Sequence, residues 1–230
     1  SIDYISKGTD GKPFRAADSI SLTLEKGEML AVVGESGSGK TTLALSIMGL
    51  LPENASTKGS IFFTGRDLNY MPEEDKDLIR WKEIAIVFQN SLEVLNPVMR
   101  VGDQICEPMI KHLHLGDDEA KKRSSELFGL VDLDPVWLEA YPHQLSGGMR
   151  QRALIAMALS CQPDILILDE VTSALDAFTK AKIADLLIRL QKEHGYSMIL
   201  ISHDISFLSS LTNRMMVMYA GRAMERADTD

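Results

Sequence analysis

Cysteine is scarce in these 230 residues: Cys106 and Cys161 are the only two. They lie far apart and match no metal-ligand spacing, which excludes a disulfide scaffold and predicts a reduced, cytosolic chain with ordinary buried thiols. Long hydrophobic runs are missing too. No uncharged apolar stretch approaches the roughly 20 residues of a membrane-spanning helix, and no charged-then-apolar leader opens the chain, so a soluble or peripheral protein is expected. Positive charge is in deficit, with 24 Lys and Arg against 33 Asp and Glu, a net charge of -9 and a pI of about 5.1. A sequence-independent grip on nucleic acid would need a local basic patch against that field, and none is present, so no nucleic-acid partner is expected. Internal repeats and low-complexity segments are also lacking.

What is there is enough for a substantial core: 45% of residues are hydrophobic and 25% charged, one domain or one domain with a lobe. From Ile20 to Val33 the pattern predicts strand, a turn at Lys26-Gly27, and strand; a helix follows from Leu43, and a further strand spans Ser60 to Thr64. Between Asn90 and about Leu159 the character changes. Leu127, Phe128, Leu130 and Val131 recur at helical spacing and β-branched runs are scarce, which predicts an inserted helical lobe. Beyond Pro163, strands return at Ile165 to Leu168 and Met198 to Ile201, with an amphipathic helix from Ala177 to Gln191 between them. Short apolar strands alternating with helices predict an α/β fold with a mostly parallel sheet covered on both faces.

The stretch GESGSGKTT, from Gly34 through Glu35, Ser36, Gly37, Ser38, Gly39, Lys40 and Thr41 to Thr42, stands between an apolar strand and an apolar-periodic helix. Gly34, Gly39, Lys40 and Thr41 satisfy G-x-x-x-x-G-K-[ST] in the setting that makes the pattern specific. Glycines let successive backbone N–H groups curl inward, and the helix start adds its positive dipole end, so the turn is expected to cradle phosphate. Lys40 would reach β- and γ-phosphate oxygens, and the Thr41 hydroxyl would ligate Mg²⁺. Packing alone would explain neither the lysine nor the hydroxyl.

A second pair sits at the end of the Ile165 strand. Asp169 and Glu170 stand at the edge where ligands bind in open α/β sheets. Asp169 is expected to hold Mg²⁺ directly or through water, and Glu170 to polarise an attacking water; the plainer alternative is a solvated strand terminus.

LSGGM at Leu145 to Met149, followed by RQR at Arg150 to Arg152, resembles the signature motif of ABC-type ATPases. The other motifs of that family follow in family order: Gln89 after Ile84 to Phe88 resembles the Q-loop, Ser173-Ala174-Leu175-Asp176 the D-loop, and His203 after Met198 to Ser202 the switch histidine. The resemblance covers nearly the whole chain. Within the family, YPHQLSGGMRQR from Tyr141, the Leu95-Asn96-Pro97 turn and MYAGR from Met218 are most similar to ATP-binding subunits of dipeptide, oligopeptide and nickel importers. Such subunits usually continue past the MYAGR strand, whereas the sequence given ends at Asp230.

The resemblance implies a P-loop NTPase (RecA-like) fold: a single ABC ATPase domain over 1–230, with the core and an N-terminal antiparallel β part in 1–90 and 160–230 and the helical signature subdomain in 91–159. It implies ATP and Mg²⁺ as cofactors and a head-to-tail dimer of identical or related subunits. In that dimer Ser146, Gly147 and Gly148 of one chain act on the partner's ATP. Ser146 reads independently as an N-cap, so that its hydroxyl and the glycine N–H groups form a second anion site. The resemblance further assigns Glu170 as general base, His203 as the contact to the γ-phosphate, and Gln89 as a sensor of Mg²⁺ and water. Asp176 would carry communication across the dimer, and Tyr4 would be a platform for adenine, with a plain strand tyrosine as the alternative.

It implies as partners a separate transmembrane permease, received by the helical lobe through an apolar patch from roughly Leu92 to Ile110, and indirectly a solute-binding protein. The expected place is the cytoplasmic face of the membrane. The runner-up is a soluble ABC ATPase of DNA repair or the ribosome, against which stands the lack of a long coiled-coil insertion or of two fused cassettes. His112 and His114 are read as helix or helix end without a third metal ligand, Lys121 to Arg123 as a solvated face, and Met215, Met216 and Met218 as core. Trp81 and Trp137 are read as packing anchors.

Overall fold

The protein is described by a computed structural model at residues 1–5, 13–88, 94–173 and 175–229. Ile2–Ile5 (β1) lies between Pro13–Ala17 (β2) and Ala55–Thr57 (β4) in an antiparallel sheet. Met29–Gly34 (β3) belongs instead to a second sheet of order β11-β10-β3-β9-β8-β7. Its other members are Ile84–Val87 (β7), Ile165–Asp169 (β8), Ser197–Ser202 (β9), Arg214–Tyr219 (β10) and Arg222–Asp228 (β11). Every pairing in it is parallel except the β10–β11 hairpin. The sequence expectation of a mostly parallel sheet with an antiparallel part near the N-terminus is met.

Both faces of this sheet are covered. Alternate residues of β3 and β9 point to opposite sides: Ala31, Val33, Met198 and Leu200 into one apolar cluster, Val32, Ile199 and Ile201 into the other. Residues buried on both faces are the reason these strands read as unbroken apolar runs. The second face carries Lys40–Ile47 (α1) and Glu73–Ile79 (α2). On the first face lie Val101–Leu113 (α3), Asp117–Leu130 (α4), Gly147–Leu159 (α5) and Ala177–His194 (α6), and the short Ile205–Ser209 (α7) adds Leu208 to the same cluster. Phe128 of the helical lobe and Leu168 of the sheet belong to one continuous cluster.

Helix ends follow local chemistry. Asp176 caps α6 by accepting from Thr179 N at 3.0 Å, and Gly195, at φ 70°, ends it; a left-handed C-terminal residue is where glycine carries no Cβ penalty. Beyond α1, the Arg80 guanidinium donates to the carbonyls of Met48 (3.0 Å) and Gly49 (2.9 Å), while Glu73 and Asp77 accept from its other nitrogen.

Two expectations need correction. Residues 20–25 form no strand: Ile20, Leu22 and Leu24 alternate inward against the second cluster, yet no strand among the described residues pairs with them. A period of two reports burial of one face, whereas a ladder also needs a neighbour's backbone. The strand expected at Ser60 to Thr64 shrinks to Phe62–Phe63 (β5), paired with Arg66–Asp67 (β6), because Thr64 and Gly65 at φ 47° and 80° make the two-residue turn.

The expected packing roles are mixed. Met216 and Met218 are buried and Met215 half-buried. Trp81 stacks on His112, while Trp137 lies at the surface with 36% of it exposed. His114 is the left-handed C-cap of α3. Cys106 and Cys161 are free, buried thiols whose pKa values burial pushes up. No helix among the described residues is long and apolar enough to cross a membrane.

Candidate phosphate-binding and hydrolytic site

Gly34, Asp169 and Ser202 end three neighbouring parallel strands, so the loops that follow them converge at one edge of the sheet. The loop after β3 is held from behind. A Cβ on Gly34 would run into the Met218 carbonyl of β10, and one on Gly39 into the Ala16 carbonyl of β2, while φ at Gly37 and Gly39 is 79° and 98°. Both close approach and backbone sign therefore demand glycine there. Glu35, Ser36 and Gly37 form an exposed rim, Ser38 is buried, Thr41 is exposed and Thr42 half-buried.

Lys40 opens α1 and folds back over the loop. Its Nζ donates to the carbonyls of Gly34 (2.7 Å) and Glu35 (2.8 Å) and stands 3.4 Å from the Ser38 hydroxyl. Burial lowers its pKa, against the raising influence of Glu170 and Asp169. An ammonium held among carbonyls at the mouth of a helix N-terminus is placed to meet anionic oxygens.

Asp169 is 1% exposed, and its Oδ1 has no hydrogen-bond partner among the described residues. Burial pushes its pKa up, and the hydroxyl of Thr41 acts in the opposite direction through a hydrogen bond. A buried carboxylate oxygen without a donor, beside a hydroxyl, is the donor set a hard cation such as Mg²⁺ requires. These residues fit that ion. Among the described residues no three His, Cys, Asp or Glu side chains cluster as an all-protein cage.

Glu170 follows at φ 52°, a left-handed backbone that turns its side chain out of the strand line. Its N–H donates to Ile201 O (2.9 Å) and its carbonyl accepts from the Ser173 hydroxyl (3.0 Å). The carboxylate is met by His203 Nδ1 at 2.9 and 3.0 Å and by the Ser202 hydroxyl at 3.4 Å. His203 keeps 60% of its side chain exposed. One end of the pair is thus anchored in the protein and the other faces solvent.

Across the lobe boundary, Ser146 accepts from Met149 N at 3.3 Å and begins α5. Arg150 clasps the preceding loop through the carbonyls of Pro142 and Leu145. Gly147 lies against Leu175, and a Cβ on Gly148 would stand 2.5 Å from Thr179 Cγ2. The signature loop therefore rests on the first turn of α6, whose cap is Asp176. Tyr4 is half-buried in β1, opposite Phe14 and Ala55. Gln89 falls outside the described residues, as does Leu92.

Two parts of this site are not legible from sequence motifs. Ser202 carries no signal of its own beside the histidine that follows it. The β10–β11 turn braces the phosphate loop: Gly221 N donates to Ser38 O (3.1 Å), and Asp18 N to Gly221 O (2.7 Å). In the sequence this turn lies within MYAGR, the stretch from Met218 to Arg222.

The comparisons with known proteins agree. The family model described as ABC transporter matches residues 17–173. The oligopeptide transport ATP-binding protein OppD of Salmonella typhimurium is 42% identical over 91% of this chain, and the dipeptide transport ATP-binding protein DppD of Bacillus subtilis 42% identical over 96%. The chain spans 63% and 68% of the length of those two relatives. Among solved structures, an ATP-binding cassette dimer in a post-hydrolysis state with ADP and Pi superposes at TM-score 0.87 with 27% identity, over 100% of this chain and 99% of that one. The cbiO1 protein of Clostridium perfringens, part of the cbiONQ transporter complex, gives 0.81 and 27%, over 99% and 88%. A family match across most of the chain, together with phosphate, carboxylate and signature loops on neighbouring elements, places this chain in the ABC transporter family.

Proposed function

We propose that this chain is the ATP-binding and ATP-hydrolysing motor of a peptide-type importer, working as a head-to-tail dimer on a separate permease. The observation that carries the reading is the convergence of Lys40, Asp169, Glu170 and His203 at the C-terminal ends of adjacent strands. Glycine N–H groups of residues 34–39 and the start of α1 would bind the phosphates, with Lys40 Nζ exchanging its carbonyl partners for phosphate oxygens. Thr41, Asp169 and Gln89 would hold Mg²⁺, which when bound neutralises charge on the phosphates. Glu170 would accept the proton of the attacking water, and His203, exposed beyond its contact with Glu170, would orient that water against the terminal phosphate.

Ser146, Gly147 and Gly148 would close on the partner's nucleotide, so that ATP joins two chains and hydrolysis releases them. Tyr4 would stack on adenine. The permease assignment is supported in the helical lobe by three exposed apolar side chains within the expected stretch, Val94, Val98 and Ile110, with Val98 79% exposed. The likeness to OppD and DppD supports peptides as cargo, and the working place would then be the cytoplasmic face of the membrane, with a solute-binding protein as an indirect partner.

The test is Glu170→Gln. Sedimentation at saturating MgATP should find a stable dimer that retains nucleotide while turnover falls by orders of magnitude. A variant that stays single under those conditions, even with a peptide permease supplied, would overturn the proposal, and near-normal turnover would remove Glu170 from its role.

A further inference from the structure

Lys180 occupies the first turn of α6, where the helix macrodipole disfavours a cation. It is held there by a carboxylate 24 positions away: its Nζ donates to Asp204 Oδ2 at 3.0 Å, with side chains 27% and 32% exposed. Asp204 directly follows His203, caps α7 by accepting from Phe207 N (3.1 Å), and donates its own N–H to the Ser202 hydroxyl (3.1 Å). That hydroxyl in turn stands 3.4 Å from Glu170 Oε2. On the other side of Lys180 is Thr179, bound twice to Asp176, at 3.0 Å through its N–H and 2.6 Å through its hydroxyl, and carrying the methyl that Gly148 packs against. The polar contacts are continuous from the loop that carries Asp176 to the carboxylate of Glu170, with one ion pair as the link between the two helices.

We propose that Lys180 and Asp204 are a positioning pair: the ion pair fixes the His203 loop, which leaves β9 at Ser202, to the helix that Asp176 caps and that carries Thr179. A shift of the signature and Asp176 loops is then felt by Glu170 and His203 of the same chain. The inference rests on the hydrolytic reading given above, and extends it by joining the surface expected to meet a partner to the chain's own reacting groups. An ion pair still about a third open to solvent is screened and contributes little to stability, about 1 kcal/mol or less, so its loss should be read in turnover and in the local order of the His203 loop rather than in the melting temperature.

The experiment is a double-mutant cycle with Lys180→Ala and Asp204→Asn; the asparagine keeps the oxygen that caps α7 and removes the charge. Each single change should lower kcat for MgATP by between about twofold and about thirtyfold, the range of coupling changes along such networks, with nucleotide affinity and melting temperature unchanged. The double variant should be no slower than the slower single variant, and Lys180→Arg should recover most of the rate. Hydrogen exchange in the nucleotide-free protein should quicken at amides 203–207 in Lys180→Ala. Wild-type turnover in Lys180→Ala, losses that multiply in the double variant, failure of Lys180→Arg to recover the rate, unaltered exchange, or a parallel fall in nucleotide affinity would each overturn the proposal. A wild-type protein without ATPase activity would instead sink the hydrolytic reading, while the exchange measurement still decides whether the pair orders the loop.

Discussion

His203 Nδ1 lies 2.9 Å from Oε1 and 3.0 Å from Oε2 of Glu170, so one ring nitrogen bisects a carboxylate that is itself 9% exposed. The contact joins the ends of two adjacent parallel strands, β8 and β9, and fixes the orientation of both groups before any substrate arrives. His203→Ala should therefore lower ATP turnover by about a hundredfold, the scale of a lost positioning contact at the reacting centre, while nucleotide affinity stays within about twofold. Steady-state kinetics with a fluorescent nucleotide titration would check both, and a fall in affinity equal to the fall in rate would place His203 in ground-state binding instead.

Two glycine substitutions should separate folding from function. Gly39→Ala puts a methyl against the Ala16 backbone at φ 98°, where nothing flexible can give way. It should cost roughly 2 kcal/mol or more of stability and abolish nucleotide binding. Gly148→Ala brings a methyl to 2.5 Å from Thr179 Cγ2, so that branched side chain, held by Asp176 through its hydroxyl, must turn aside. It should still fold, with a modest fall in melting temperature, and bind nucleotide, yet fail to form the ATP-dependent dimer when paired with Glu170→Gln, as read by sedimentation.

Arg80 satisfies two carbonyls at the C-terminal end of the phosphate-loop helix, those of Met48 and Gly49. Arg80→Ala leaves them without that donor. A stability loss of about 1–3 kcal/mol is expected from the hydrogen bonds to a charged group, and Arg80→Lys should recover only part of it, since an ammonium lacks the planar fork. Chemical denaturation curves would show whether the loss exceeds that of a surface charge removal.

Asp132 accepts from Arg152 (2.8 Å) of α5 and Arg189 (2.9 Å) of α6. Burial alone would raise its pKa, but the hydrogen bonds and charges of the two arginines hold it below the ordinary carboxylate value. A depressed folded pKa gives stability that is present above the unfolded value, about 4, and lost as pH falls through the folded one. Asp132→Asn should accordingly cost about 1 kcal/mol at neutral pH, an allowance made for solvent screening of a half-exposed group. The difference from wild type should shrink as pH falls below about 4 and through the depressed folded value, measured by thermal melts on acidification; a difference independent of pH would mean the arginines act through packing alone.

What the sequence determined was local. The phosphate loop is legible because its glycines, lysine and hydroxyl are consecutive and answer to a single ligand geometry. Asp169 and Glu170 are legible because a buried strand ends on them, and Ser146 because helix caps follow rules that operate within four residues. The inward alternation at residues 20–25 was legible in the same way, but pairing was not, since a ladder depends on which strand arrives alongside.

Tertiary structure alone decided that Met218 and Gly221 brace the phosphate loop from behind, that Ser202 reaches Glu170, that Gly148 rests on Thr179, and that Lys180 finds Asp204. Each of these joins residues far apart in the chain, or turns on a side-chain direction that periodicity does not encode. Their physical cause is the parallel order of β10, β3, β9 and β8, which brings the ends of distant segments to one edge of the sheet. Only there do a carbonyl, a hydroxyl and an ion pair become part of one site.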